Sequence, residues 1–313
     1  TGRPRHGLME LRGRVALVTG AGRRLGRAFA QALAGRDMAV AIHHHTSSQG
    51  ADELRREIVA AGGRAACFAA DLSDPVAAAE LPRRVAAELG RLDVLVNSAA
   101  VMHRLSFEET TPEHWDAILA INLRAVFFCT QGAAPALRAG RGKVVNIADL
   151  SGLEPWPGFA AHSVSKAGVV MLTKVLARAL APDVTVNAIA PGAVLVPEDY
   201  DDEERDRLAR TTPLRRLGTP SDAVAALLYL LEGGDFVTAP EVAPALHGRA
   251  GRHSSRSPKR STTTGRPSTS SSARSKSPRT RALSPGSPDT KSVSSAGTPG
   301  SRTANSSTTG TRR

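Results

Sequence analysis

At 313 residues the chain is long enough for one or two domains with a sizeable core, yet its charge is spread unevenly: 14 of the 41 Lys and Arg lie from Ala239 onward, against only Glu241 and Asp289 of the 29 acidic residues. The body is therefore neutral and the formal +12 belongs to a Ser, Thr, Arg, Pro and Gly tail without an aromatic residue, so the basic balance gives no reason to expect a nucleic-acid groove on the globular part. No apolar run approaches the roughly 18 residues of a membrane span and "TGRPRHGLME" lacks the apolar core of a secretory signal, which makes cytoplasm the expectation. Cys67 and Cys129 have no metal-ligand spacing and are read as two ordinary buried thiols suited to a reducing compartment.

Met9 directly precedes "ELRGRVALVTG", so residues 1–10 read as an N-terminal extension, 11–238 as one folded domain and 239–313 as a basic low-complexity tail. The run "RVALVT" is apolar without polar alternation, as a strand buried on both faces would be. It passes through glycines into "LGRAFAQALAG", whose apolar residues recur at helical spacing up to Gly35. The unit repeats: "MAVAIH" before "ADELRREIVAAGG", "AACFAA" before "DPVAAAELPRRVAAELG", and "DVLVN" before a helix at "TTPEHWDAILAINL", which Thr111 caps and Pro112 opens. "KVVNIA", a long helix from about Ala161 to Ala181, and "VTVNAIAPG" complete six strands. Strict alternation of strand and crossover helix predicts an α/β fold with a doubly wound parallel sheet, whose ligands bind beyond the carboxyl ends of the strands.

"TGAGRRLG" joins the first strand to the first helix. Its glycines let the backbone approach a pyrophosphate, which the helix amino terminus attracts with free N–H groups. An NAD site usually carries Asp or Glu at the end of the second strand; here that stretch reads "HHHTS", His43 to Ser47, while Arg23 and Arg24 lie in the turn. Two guanidiniums, hydroxyls and imidazoles without a carboxylate suit a 2′-phosphate, so NADPH is the expected cofactor. Consecutive histidines on a strand alternate faces and do not converge on one ion, so no metal is expected.

Those stretches, together with "ADLSD", "DVLVNSAA", "INL" around Asn122, "HSVSKAG" and "NAIAPGAV", occur in an order and spacing that resembles the short-chain dehydrogenase/reductase family over most of residues 11–238. Arg24 where a glycine is usual, followed by Leu25 and a histidine-rich segment, looks like the pteridine reductase branch. The resemblance implies cofactor contacts from Gly20, Arg23, Arg24, Leu25, Gly26, His45, Thr46, Ser47, Asp71, Leu72, Asn97, Ala99, Pro191, Gly192 and Val194. For Asp71 and Asn97, capping and loop fastening is the alternative.

The family's proton donor is a tyrosine four residues before a lysine, so that both share one helix face and the ammonium lowers the phenol's pKa. Lys166 is in place, but position 162 is histidine. Thirteen residues earlier, where a serine is usual, stands Asp149, which is similar to pteridine reductases. Imidazole is a competent acid near neutral pH but shorter than phenol, and a misplacement of about 1 Å can cost on the order of a hundredfold. Three readings stay open: a slow but competent reductase of a carbonyl or pterin-like C=N, an impaired NADPH-binding member with a regulatory or scaffolding role, and Asp149 as proton source through water. Asn122 falls in a predicted helix, where the family uses it to hold a water chain to the lysine and where a bond to neighbouring backbone is the alternative.

The partner expected is a small-molecule substrate. Met102 and His103 occupy the place of the ring that the pteridine branch stacks on its substrate, and Trp156 and Phe159 either shape the pocket or anchor its loop. The polar segment after Gly192 reads as a helix-bearing lid. After "DFVT" the family continues into a last strand that helps form a tetramer. Here the sequence turns into the tail, so the strand is expected to be lost, which puts the tetramer interface in doubt while leaving a homo-oligomer open. The tail cannot bury enough apolar area to order itself. It reads either as a basic arm for anionic surfaces, with nucleic acid a disfavoured partner, or as the product of a lost reading frame.

Overall fold

The structure, a computed structural model, describes residues 9–196, 200–233, 237–238 and 241–242. Its strands are all parallel and stand in the order β3-β2-β1-β4-β5-β6-β7. They comprise β1 (Val15–Val18), β2 (Ala39–His44), β3 (Arg64–Ala69), β4 (Val94–Asn97), β5 (Lys143–Ile147), β6 (Thr185–Ile189) and a two-residue β7 (Glu241–Val242). Between them run α1 (Arg24–Ala34), α2 (Ser48–Ala60), α3 (Pro75–Leu89), α4 (Pro112–Leu119), α5 (Ala125–Gly140), α6 (Ala160–Leu180), α7 (Asp202–Thr211) and α8 (Pro220–Leu228). The six expected strands and the long helix are thus where the pattern puts them.

Side-chain alternation along β1 divides the core. Ala16 and Val18 pack with Phe29 and Leu33 of α1, Leu54 of α2 and Leu227 of α8. Val15 and Leu17 face Leu81 and Val85 of α3 and Cys129, Ala133 and Leu137 of α5. Each fully buried leucine or phenylalanine contributes about 1.5–3 kcal/mol, which explains why strands covered on both sides read as unbroken apolar runs. Helix starts follow the local chemistry: Asp74 caps α3 by accepting from the Val76 N–H, and Thr111 caps α4 by accepting from that of His114, each followed by proline.

Four expectations need amendment. A last strand is present rather than lost: Glu241–Val242 pairs with Ala188 and Ile189 of β6, beyond the Thr238 boundary, while the residues on either side of it lie outside the described ones. Met9, assigned to the extension, is buried in the core because it packs with the α1–α8 layer. Cys67 is only half-buried, since it lies on β3 at the sheet edge with Asp52 3.7 Å away, whereas burial pushes the Cys129 thiol up to about 12. The stretch Pro112–Gly140 is one helical run long and apolar enough to cross a membrane; 56% of its apolar window is buried within the fold, as a core helix would be.

Strand order reverses between β1 and β4, so their carboxyl ends diverge and leave a crevice above the sheet.

Candidate active site

A cavity of about 580 Å³ fills that crevice. One end is formed by the turn after β1. Gly20 has φ +67°, and a Cβ there would lie 2.9 Å from the Ala99 Cα, so the turn rests directly on the end of β4. A Cβ on Gly26 would run into the Gly20 carbonyl oxygen, so only glycine lets α1 start this close against the turn. Arg24 keeps a left-handed conformation (φ 52°) that costs a non-glycine residue about 1–2 kcal/mol. Its guanidinium donates to the Leu195 carbonyl at 2.7 Å and so ties the turn to the segment after β6. Helix α1 has no side-chain cap, unlike α3, α4, α7 and α8, so its first-turn N–H groups are left for another acceptor.

Of the residues predicted to contact the cofactor, Gly20, Arg23, Arg24, Leu25, Gly26, His45, Thr46, Ser47, Leu72, Ala99, Pro191, Gly192 and Val194 line the cavity. Asp71 and Asn97 do not. The Asn97 amide donates to Asn146 Oδ1 (2.9 Å) and Thr130 Oγ1 (3.2 Å), and Asn146 donates in turn to Thr173 Oγ1, so a buried polar ladder ties β4 and β5 to α5 and α6. Asp71 accepts from the Ser73 N–H at 2.8 Å, which holds its carboxyl below the usual range, and its other neighbour is His45 at 3.9 Å. For both residues the fastening alternative matches the geometry.

At the other end stand Asp149, His162 and Lys166, brought together by the end of β5 and the first turns of α6. His162 is buried; its Nδ1 lies 3.3 Å from both the Val101 carbonyl and the Asn122 amide nitrogen. Its Nε2 has no hydrogen-bond partner among the described residues and sits 4.0 Å from Asp149 Oδ2, a charge contact rather than a hydrogen bond. Burial would raise the Asp149 carboxyl, but His162 beside it and the Ser151 N–H donating at 2.7 Å outweigh that and hold it below the usual range. Lys166 donates to the Ile147 carbonyl at 2.7 Å; burial pushes its ammonium down to about 8, with Asp149 opposing.

Asn122 does not line the cavity and does not sit in a regular α-helix. It lies in a π turn, Ala120–Arg124, between α4 and α5. From there it accepts from the Val101 N–H (2.8 Å) and donates to the Val101 carbonyl (2.9 Å) and Ser165 Oγ (3.1 Å), so the loop after β4 is stitched to α6 under the imidazole. Met102, Trp156 and Phe159 also line the cavity, the two rings 6.1 Å apart and edge-on, as do Tyr200 and Leu208 of the α7 segment. His103 is exposed and away from the cavity.

Sequence reasoning passed over His43, whose ring is buried beneath the glycine turn. Strand period was the available signal, but both faces of β2 are covered, so alternation in the sequence did not mark the inward residue. Among the described residues no three His, Cys, Asp or Glu side chains are placed to share a metal ion.

A profile of the short chain dehydrogenase family matches residues 14–206, which takes in the turn, the 149/162/166 cluster and the strands that carry both. The chain belongs to that family. It is 35% identical over 225 residues to a 3-oxoacyl-[acyl-carrier-protein] reductase of Synechocystis, covering 71% of this chain and 91% of the relative. It is 38% identical over 239 residues to an oxidoreductase of Mycobacterium tuberculosis, covering 74% and 90%. Among solved structures, a dehydrogenase/reductase from Sinorhizobium meliloti superposes with a TM-score of 0.70 at 35% identity, over 75% of this chain and 95% of that one. As a short-chain dehydrogenase the chain is an oxidoreductase that works with a nicotinamide cofactor. The uncapped start of α1 and the side-chain-free approach of Gly20 to β4 are the features such a dinucleotide requires.

Proposed function

We propose that the chain is an NADPH-dependent reductase of a carbonyl or a pterin-like C=N compound, in which His162 supplies the proton. The preference for NADPH is supported by the cavity end beside α1, where Arg23, Arg24, His45, Thr46 and Ser47 line the wall and, among the described residues, no carboxylate does. One observation carries the catalytic reading: a buried imidazole nitrogen, Nε2 of His162, lacks a partner at the wall of the cavity beside a carboxylate.

The hydrogen-bond inventory favours Nε2 of His162 as the nitrogen that acts. Asn122 uses its two amide hydrogens on the Val101 carbonyl and Ser165 Oγ, and the Ser165 hydroxyl donates to the His162 carbonyl at 2.6 Å. Nδ1 therefore holds a hydrogen of its own, directed at the Val101 carbonyl 3.3 Å away. The transferable proton sits on Nε2, and giving it up leaves a neutral imidazole whose Nε2 lone pair can be reprotonated. Asp149, 4.0 Å away, stays ionised and sets a negative charge beside that nitrogen. Lys166, anchored on the Ile147 carbonyl, places a second positive charge at the same end, stabilising an alkoxide or amide anion as it forms. A nicotinamide held by the glycine turn and the start of α1 would supply the hydride. Asp149 and Arg24 in these positions also support the pteridine reductase-like branch.

The test is oxidation of NADPH and of NADH by the full chain with pterins, quinones and small ketones. Turnover with at least one of them, faster with NADPH, is expected; an Arg24→Ala variant should weaken NADPH binding about tenfold and leave NADH nearly unchanged. Tight NADPH binding without turnover on any of these would favour the non-catalytic, cofactor-binding reading instead.

A further inference from the structure

We infer that His43 is a positioning residue of the cofactor site, setting the phosphate-facing turn by taking the Gly20 N–H on its ring. This rests on the nicotinamide-cofactor reading of the cavity. The Gly20 N–H donates to His43 Nδ1 at 3.0 Å, and the next N–H, of Ala21, donates to the His43 carbonyl at 2.9 Å. On the far side of the ring, Nε2 donates to the Ala70 carbonyl at 3.1 Å. One imidazole thus joins the carboxyl ends of β1, β2 and β3. Because Nδ1 must be the acceptor, the Nε2–H tautomer is the one that fits, and both nitrogens are used.

The consequence for binding is geometric. With the N–H groups of residues 20 and 21 drawn down onto β2, Gly20 is held at φ +67° against Ala99 and α1 starts with its first turn directed at the cavity. A turn released from the ring would have to be ordered anew by the pyrophosphate, at the expense of affinity.

Two near-isosteric variants separate positioning from mere stability. In His43→Asn, the side-chain oxygen can stand near the place of Nδ1 and accept from Gly20, while Ala70 is lost. In His43→Gln, the amide nitrogen reaches toward Ala70 while Gly20 loses its acceptor. Dissociation constants for NADPH and NADH are measured by fluorescence titration of the full-length proteins, beside their Tm. Expected is a loss of affinity of about tenfold for both coenzymes in His43→Gln and about threefold or less in His43→Asn, with lower Tm in both and kcat at saturating coenzyme preserved. Equal losses in the two variants, or unchanged affinity in both, would overturn the inference. Should the variants not fold, wild-type imidazole ¹⁵N shifts and Gly20 amide exchange decide it: an Nδ1–H tautomer, or an unprotected Gly20 amide before coenzyme is added, overturns it equally. Absence of coenzyme binding by the wild type would instead count against the cofactor reading itself.

Discussion

Acid should loosen this protein through His43 before its carboxylates titrate. Burial is the main force on that imidazole and lowers its pKa from 6.5 to about 4, against the opposing bond to the Ala70 carbonyl and with His44 and His45 adding to the depression. An unfolded chain therefore binds one more proton than the folded one between those two values. The stabilisation is complete above pH 6.5 and is lost progressively as pH falls toward 4. At about 1.36 kcal/mol per pK unit, the full effect is on the order of 3 kcal/mol, and most of it is gone by about pH 4.5. The ring is 2% exposed, so solvent screening does little to reduce this. Asp149 and Asp93 have depressed pKa values, and their contributions are lost only as pH falls through a still lower range. Urea unfolding of the wild type and of His43→Asn at steps from pH 7.5 to 4.5 isolates the term, since asparagine does not titrate. The stability gap between the two should narrow by about 2–3 kcal/mol on acidification. A gap that stays constant over this range would refute the reasoning.

His162→Phe should lower kcat by about a hundredfold or more with coenzyme affinity within about threefold, measured by steady-state kinetics and titration. Asn97→Ala strands the buried Asn146 carbonyl oxygen and should cost about 1–3 kcal/mol in denaturant melts while leaving coenzyme affinity almost intact. Gly20→Ala forces a Cβ to 2.9 Å from Ala99 at φ +67° and should weaken coenzyme binding about tenfold or more in titrations, with a lower Tm.

Much of the architecture was legible because its determinants are local. Apolar runs, helical spacing, proline after a capping residue and glycine between strand and helix each act within a few residues, and together they dictated six strands, their crossovers and the crevice above the sheet. Lys166 one helical turn after His162 is likewise a property of spacing. Other features arise only when distant segments meet. "INL" reads as ordinary helix, yet Asn122 must reach Val101 and Ser165 at once, and a π turn is what lets it do so. Three histidines in a row look equivalent; His43 differs because the glycine turn and β3 close over it from both sides, leaving its two nitrogens one donor and one acceptor to meet. The same holds for Asn97, whose amide is claimed by β5 and α5 rather than by the cavity. The sequence by itself determined which elements form and in what order, since those depend on neighbours along the chain; the tertiary structure decided which polar side chains face the cavity and which are consumed in fastening it, since that depends on partners 23 to 61 residues away.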